Sequence, residues 1–178
     1  MQKVQENITA HLSDEAYELA FNLIVKAYGE RMYWHIRRLV TAHEDANDVL
    51  QNTYIKIWKG LANFKQQSAV YTWVYRIATN EALSFIRSQK NTSTHDADEH
   101  SIFTNLQADA YFDGDQIQAK FHAAIATLPP KQRAVFTTRY FEELTYEQMS
   151  EIFQTSVGAL KASYHHAVKK IELSLKAD

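Results

Sequence analysis

The sequence predicts an all-α protein of two small helical domains joined by a flexible acidic linker, and three observations carry that expectation. Only four Gly and two Pro occur in 178 residues, too few for the tight turns of an all-β chain and favourable to helices. Apolar residues recur at three- and four-residue steps along two long blocks. Charge divides the chain at the same places: residues 1–90 hold 11 Lys/Arg against 9 Asp/Glu, residues 91–116 hold six acids and no base, and residues 117–178 hold 8 against 6. Two mildly basic blocks thus flank an acidic stretch, the pattern of a two-domain chain with a linker.

In the first block, Tyr17, Ala20, Phe21, Ile24, Val25 and Tyr28 form one helical face, and Met32, Ile36, Leu39 and Val40 repeat the pattern after Gly29. A third helix follows through Ala46, Val49, Leu50, Thr53, Tyr54, Ile57 and Leu61, opened by Glu44 and Asp45, acids that suit a helix N-terminus. After the polar segment NFKQQS comes a fourth, through Val70, Val74, Ile77, Ala78, Phe85 and Ile86, ending near Lys90. Residues 91–116 read as linker with one weak helical turn around Ile102–Leu106. Fully extended, that segment spans roughly 85–95 Å.

The second block predicts four shorter helices. Ile117, Phe121, Ile125 and Leu128 make a stripe that stops at Pro129–Pro130. A second helix runs through Val135, Phe136 and Arg139. Thr145 with Gln148 three residues on is a capping box that opens a helix burying Met149, Ile152 and Phe153. Ser156 caps the last helix, whose stripe is Val157, Leu160, Tyr164, Val168, Ile171 and Leu175. A short helix, a tight turn and a longer helix make a helix-turn-helix, although any small helical hairpin shares that outline.

The chain has no cysteine, which excludes disulfides and thiolate metal sites and fits a reducing cytoplasm. No apolar run approaches the ~20 residues of a membrane span, and MQKVQENITAHLSDE has no apolar signal core, so no membrane insertion is expected. The His residues stand at 11, 35, 43, 95, 100, 122, 165 and 166, without an HExxH pattern or a Gly-rich phosphate loop, so neither catalysis, nor a metal site, nor a cofactor is expected. Net charge −2 and pI ≈ 6.4 are unusual for a protein that binds DNA alone.

Three surfaces carry chemistry. Opposite the apolar stripe of the last helix lie Lys161, Ala162, His165, His166 and Lys169, donors at helical spacing with no acid among them. They suit a helix in a major groove, with Lys161 and His165 near base edges and Lys169 near phosphate; a solvated amphipathic face would carry the same residues. On the third helix, Asp48, Gln51, Asn52, Ile55 and Lys59 point outward with Trp58 at the edge, a pattern that suits a protein partner, though single exposed apolar residues are common. In the segment Phe64–Asn80, FKQQSAVYTWVYRIATN, Phe64, Tyr71, Trp73 and Tyr75 alternate with Lys65, Arg76 and polar side chains, a composition that suits stacking and edge reading of single-stranded nucleic acid. Core packing is an equal use for Trp73.

DANDVLQNTYIKIWKGLANFK followed by YTWVYRIATNEALSFIR resembles region 2 of the extracytoplasmic-function (ECF) RNA polymerase sigma factors. LPPKQRAVFTTRYFEELTYEQMSEIFQTSVGALKASYHHAVKKIE resembles region 4. The resemblance implies a promoter-recognition subunit, not an enzyme, that binds core RNA polymerase and directs transcription initiation. Its implied partners are the polymerase β′ coiled coil and β flap, promoter DNA and an anti-sigma factor. Asp48 and Gln51 would lie on the helix that meets the β′ coiled coil. Phe64, the loop Lys65–Ser68 and Asn80 would form the pocket for a base flipped from the melted −10 strand, with Tyr75 and Arg76 among the −10 contacts. Arg133, Ser156, Lys161, Ala162, His165, His166 and Lys169 would meet the −35 duplex, Arg133 on phosphate. The chain departs from many relatives at Ser163, His166 and Val168, where Arg is frequent, and in the Lys-Gln-Gln that follows Phe64.

Overall fold

A computed structural model describes residues 2–92 and 116–176. Among them are eight α-helices and no strand: α1 Gln2–Ser13, α2 Tyr17–Val40, α3 His43–Gly60, α4 Val70–Thr92, α5 Gln116–Ala126, α6 Pro130–Tyr140, α7 Tyr146–Phe153 and α8 Val157–Lys176. A single 3-10 turn, Leu61–Asn63, follows α3. The expected acidic linker and the turn at Ile102–Leu106 lie outside the described residues, except that α4 runs on to Thr92 and α5 begins at Gln116. No described helix is long and apolar enough to cross a membrane.

Helix α1 was not expected. Its stripe is Val4, Ile8 and Leu12, one residue per turn, and Ile8 and Leu12 are buried against α2 and α4. With only three large apolar residues among its twelve the period is faint, and the neighbouring helices supply the burial that makes it worth folding.

The two stretches on either side of Gly29 are one helix, α2, rather than two. Gly29 is there for space rather than for a break: a Cβ built on it would lie 2.7 Å from Tyr54 Oη of α3. The glycine lets α3 approach closely while Ala20, Ile24, Tyr28, Met32, Ile36 and Leu39 bury the inner face of α2. The helix stops at Thr41, whose φ of 67° is left-handed and whose N–H donates to Arg37 O. In α3, Ala46, Val49, Thr53 and Ile57 face inward, and Gly60 makes room for the Trp73 ring, which would stand 2.9 Å from an added Cβ.

In the second block, Pro130 occupies the first turn of α6, where its missing N–H costs nothing. The capping box of α7 forms in full: Gln148 N donates to Thr145 Oγ1 at 3.2 Å, and Thr145 N to Gln148 Oε1 at 2.9 Å. Thr145→Ala should therefore cost about 1 kcal/mol of stability, read as a shift in the denaturant midpoint with unchanged slope; no shift would mean that tertiary contacts alone fix the start of α7. Two expected core positions are corrected. Ile117 is 81% exposed and Leu175 42% exposed, because each lies in a terminal turn beyond the helices that cover Ile125, Leu128, Ala167 and Ile171.

The two blocks pack together. Helix α6 lies against α2 and α4, and α7 against α4. Val135, Leu144, Met149, Ile152 and Leu160 belong to the same buried cluster as Ile24, Tyr28, Tyr71 and Tyr75.

Candidate nucleic-acid and polymerase interface

Helix α8 buries Leu160, Ala167 and Ile171 and leaves Lys161, Ala162, His165, His166 and Lys169 exposed on the opposite side. The turn into it is tight, with Gln154 left-handed at φ 51°. Ser156, a predicted −35 contact, caps the helix: Ala159 N donates to its Oγ at 3.3 Å. Lys161 Nζ sits 5.6 Å from the centre of the Tyr146 ring, which Arg139 also approaches at 5.3 Å. The start of α8 thus presents a cation held near an aromatic face. Further along, Lys170 Nζ donates to Gln132 Oε1 at 3.0 Å.

On α3, Asp48, Gln51, Asn52 and Ile55 are exposed together, Ile55 at 50% and its neighbour Trp58 at 48%. The first turn is crowded with acids. Burial raises the Asp45 carboxyl above its ordinary range, and the charges of Asp48 and Glu44 raise it further. Lys56, one turn after Asn52, pairs with Glu81 of α4.

The aromatic segment splits into surface and core. Phe64 stacks obliquely on Trp73, ring centres 4.8 Å apart at 36°, and the two rings help line a hollow of about 460 Å³ with Asn63, Lys65, Gln67, Ser68 and Arg76. Asn80, expected in that same pocket, instead lines an adjoining hollow of about 440 Å³ with Lys56, Lys59 and Ile77. Trp73 borders both. On α4, Asn80 follows Trp73 by seven residues, two helical turns or about 10 Å of rise, which separates the two sites along the helix.

Tyr75 is corrected from an expected −10 contact to a core residue. It has no exposed surface, its ring lies 4.8 Å from that of Tyr71, and its hydroxyl donates to Glu142 Oε2 at 3.0 Å. Burial, with the Glu142 charge beside it, holds the phenol protonated far above its ordinary range. Arg133 is corrected as well. Its Nη1 donates to Leu39 O at 2.7 Å and its Nη2 to Ala126 O and Leu128 O, while Nε is sealed from solvent. Those acceptors lie at the C-terminal ends of α2 and α5, where unpaired carbonyls attract a cation. Burial lowers the guanidinium to about 10, so it keeps its charge at neutral pH.

The residue that sequence reasoning missed is Glu142, in the loop between α6 and α7. It is 8% exposed, and besides Tyr75 it accepts from Arg31 Nη2 at 3.3 Å and Arg38 Nη1 at 3.2 Å. Arg38 also lies 4.2 Å over the Phe141 ring. The adjoining residue carries the local signal, since Glu143 has a left-handed φ of 54°; nothing in the sequence links the loop to arginines more than a hundred residues away.

Comparison with known proteins agrees with this architecture. The chain matches the family model of sigma-70 region 2 over residues 24–92 and that of sigma-70, region 4 over residues 118–171. It is 31% identical over 167 residues to the RNA polymerase sigma-H factor of Pseudomonas aeruginosa, covering 88% of this chain and 86% of that one. The ECF RNA polymerase sigma-E factor of Haemophilus influenzae is 29% identical over 163 residues, with 86% of each chain covered. The fold is similar to that of CnrH solved with the cytosolic domain of CnrY, at TM-score 0.70 and 18% identity over 94% of this chain and 96% of the other. It is also similar to that of the sigma factor RpoE of Bartonella quintana solved with the anti-sigma factor NepR, at TM-score 0.68 and 20% identity over 89% and 98%. The helical pattern, the two matched regions and these relatives together place the chain among the RNA polymerase sigma factors of the ECF subfamily, which initiate transcription and are not enzymes.

Proposed function

We propose that this sigma factor reads a promoter at two points while docked on core RNA polymerase. In this reading residues 1–90 dock and capture the −10 strand, residues 117–178 read the −35 duplex, and residues 91–116 connect them. The exposed α3 face, Asp48, Gln51, Asn52 and Ile55, meets the β′ coiled coil; region 4 rests on the β flap. Phe64, Lys65, Ser68, Arg76 and Asn80 engage the melted −10 strand. Lys161, Ala162, His165, His166 and Lys169 face the −35 element. An anti-sigma factor belongs among the partners, by extension from the RpoE neighbour solved with NepR, and the cysteine-free chain suits work in the cytoplasm.

The observation that carries the reading is the α8 face, five exposed positions without an acid on the longer helix of a helix-turn-helix. Lys161 lies in its first turns, within reach of base edges, whereas Lys169 is two turns on and nearer the backbone. With the holoenzyme, Lys161→Ala should lose discrimination among −35 variants by about 1–3 kcal/mol. Lys169→Ala should weaken all of them about equally and lower the salt slope by about one. Footprints in which the two variants behave alike across the −35 variants would refute this division.

A further inference from the structure

The loop that leads into α4 contains one residue that turns away from the hollow beside it. Asn63, Phe64, Lys65, Gln67 and Ser68 line that hollow, and Gln66 does not. Gln66 has a left-handed φ of 56°, a conformation that strains any residue with a side chain and that glycine adopts freely. Its side chain reaches the end of α1, where Nε2 donates to Ser13 Oγ at 3.3 Å. Ser13 is suited to receive that bond. Its hydroxyl donates its only proton to Thr9 O at 3.1 Å, so the oxygen can only accept from a second partner. The adjoining Leu12 fixes its place, being buried in the cluster that holds Val70, Tyr71 and Trp73 of α4. A helix that precedes the matched region 2 is thus tied to the middle of the loop.

We propose that α1 is a strut for the strand-capturing loop, and that Ser13 and Gln66 are positioning residues that set base preference at the hollow without lining it. The proposal rests on the reading of that hollow as the −10 site. Residues 64–69 belong to no helix, so no ladder of main-chain hydrogen bonds holds their shape. Lys65, Gln67 and Ser68 stand on either side of Gln66, and where their polar groups sit depends on the turn that Gln66 makes. Tied to Ser13, that turn is held in one form before a base arrives, which spares the ordering cost on binding. Untied, the loop samples other turns and its polar groups meet different bases more equally. The backbone and the amide of Gln66 can be separated by substitution, because a glycine relieves the left-handed turn and removes the tie.

The test uses the full-length chain on core polymerase with a pool of promoter duplexes melted beforehand across a randomised −10 segment, and sequencing of the bound fraction. Losing one neutral hydrogen bond changes an equilibrium about three- to tenfold, so Ser13→Ala and Gln66→Gly should each flatten the base preference by about that factor. Both remove the same bond, so the double variant should lose no more than either alone. Ser13→Thr keeps the hydroxyl and should keep the preference. Urea unfolding separates shape from stability: the midpoint of Gln66→Gly should stay in place or rise, since glycine suits the left-handed turn, and a lost preference is then no folding defect. Preference unchanged in both single variants, or losses that add in the double variant, would overturn the proposal. Phe64→Ala tests the underlying reading by itself, because that ring lines the hollow. If it binds the pool with the strength and preference of the unsubstituted chain, the −10 assignment fails and takes the strut's function with it. If Phe64→Ala alters the preference while Ser13→Ala and Gln66→Gly do not, the −10 reading stands and the strut alone fails.

Discussion

Replacing Arg133 by alanine should lower the stability of the folded chain by about 3 kcal/mol. The guanidinium serves three main-chain carbonyls at two helix ends, Leu39 O, Ala126 O and Leu128 O, and an alanine leaves them with no donor in a site that water reaches poorly. Each such loss costs about 1–3 kcal/mol, less where a carbonyl keeps another partner, so the sum is held near the lower end. Arg133→Lys should recover less than half of the loss, because a single ammonium cannot fork between two helix termini as a planar guanidinium does. Urea unfolding with an unchanged slope gives the number directly. The competing role, a phosphate contact at the −35 element, makes the opposite forecast: unfolding unmoved, and only promoter affinity reduced. A midpoint that stays in place would therefore return Arg133 to the DNA surface.

Asp48→Arg should weaken binding to core polymerase by about 2–5 kcal/mol while leaving the fold stable to within about 0.5 kcal/mol. Asp48 is exposed beside Gln51, Asn52 and the half-exposed Ile55, a patch with a charge at its edge and an apolar centre. The substitution does not threaten the helix from within. The Asp48 charge already raises the partly buried Asp45 carboxyl, so removing it relieves a like-charge contact. Loss of binding therefore cannot be put down to unfolding. Gln51→Ala should act in the same direction with a smaller effect, as a neutral hydrogen bond is worth less than a charged one. Equilibrium titration of labelled core polymerase measures both, and affinity unchanged in both variants would remove the α3 face from the docking surface.

Much of the architecture was legible because it is written in local period and punctuation. The α8 face, the Thr145–Gln148 box and the outward side of α3 follow from steps of three and four, and each lies where that spacing puts it. What period alone could not show is space and partnership. Gly29 reads as an interruption, yet its role is set by Tyr54 on another helix. Tyr75 is polar at its tip and precedes Arg76, so composition favours a surface role; yet its ring packs against Tyr71 and His35, and its hydroxyl donates to Glu142, 67 residues away. Arg133 illustrates the same limit, since a cation in a DNA-reading domain suggests phosphate until the carbonyls it serves are located. Asn80 and Phe64 belong to one sequence segment, but the α4 rise and the bulk of Trp73 place them in neighbouring hollows. A side chain's direction depends on the helix it sits in, whereas its partner depends on the whole chain.

This chain is expected to convert core polymerase into a promoter-specific initiator. Run-off transcription tests it most directly, with purified core polymerase, a pool of candidate promoters and the full-length chain. Discrete transcripts are expected from a subset of templates that share two spaced elements, present only when the chain is added and lost with Asp48→Arg. Core polymerase that transcribes the pool identically with and without a chain shown to be folded would contradict it.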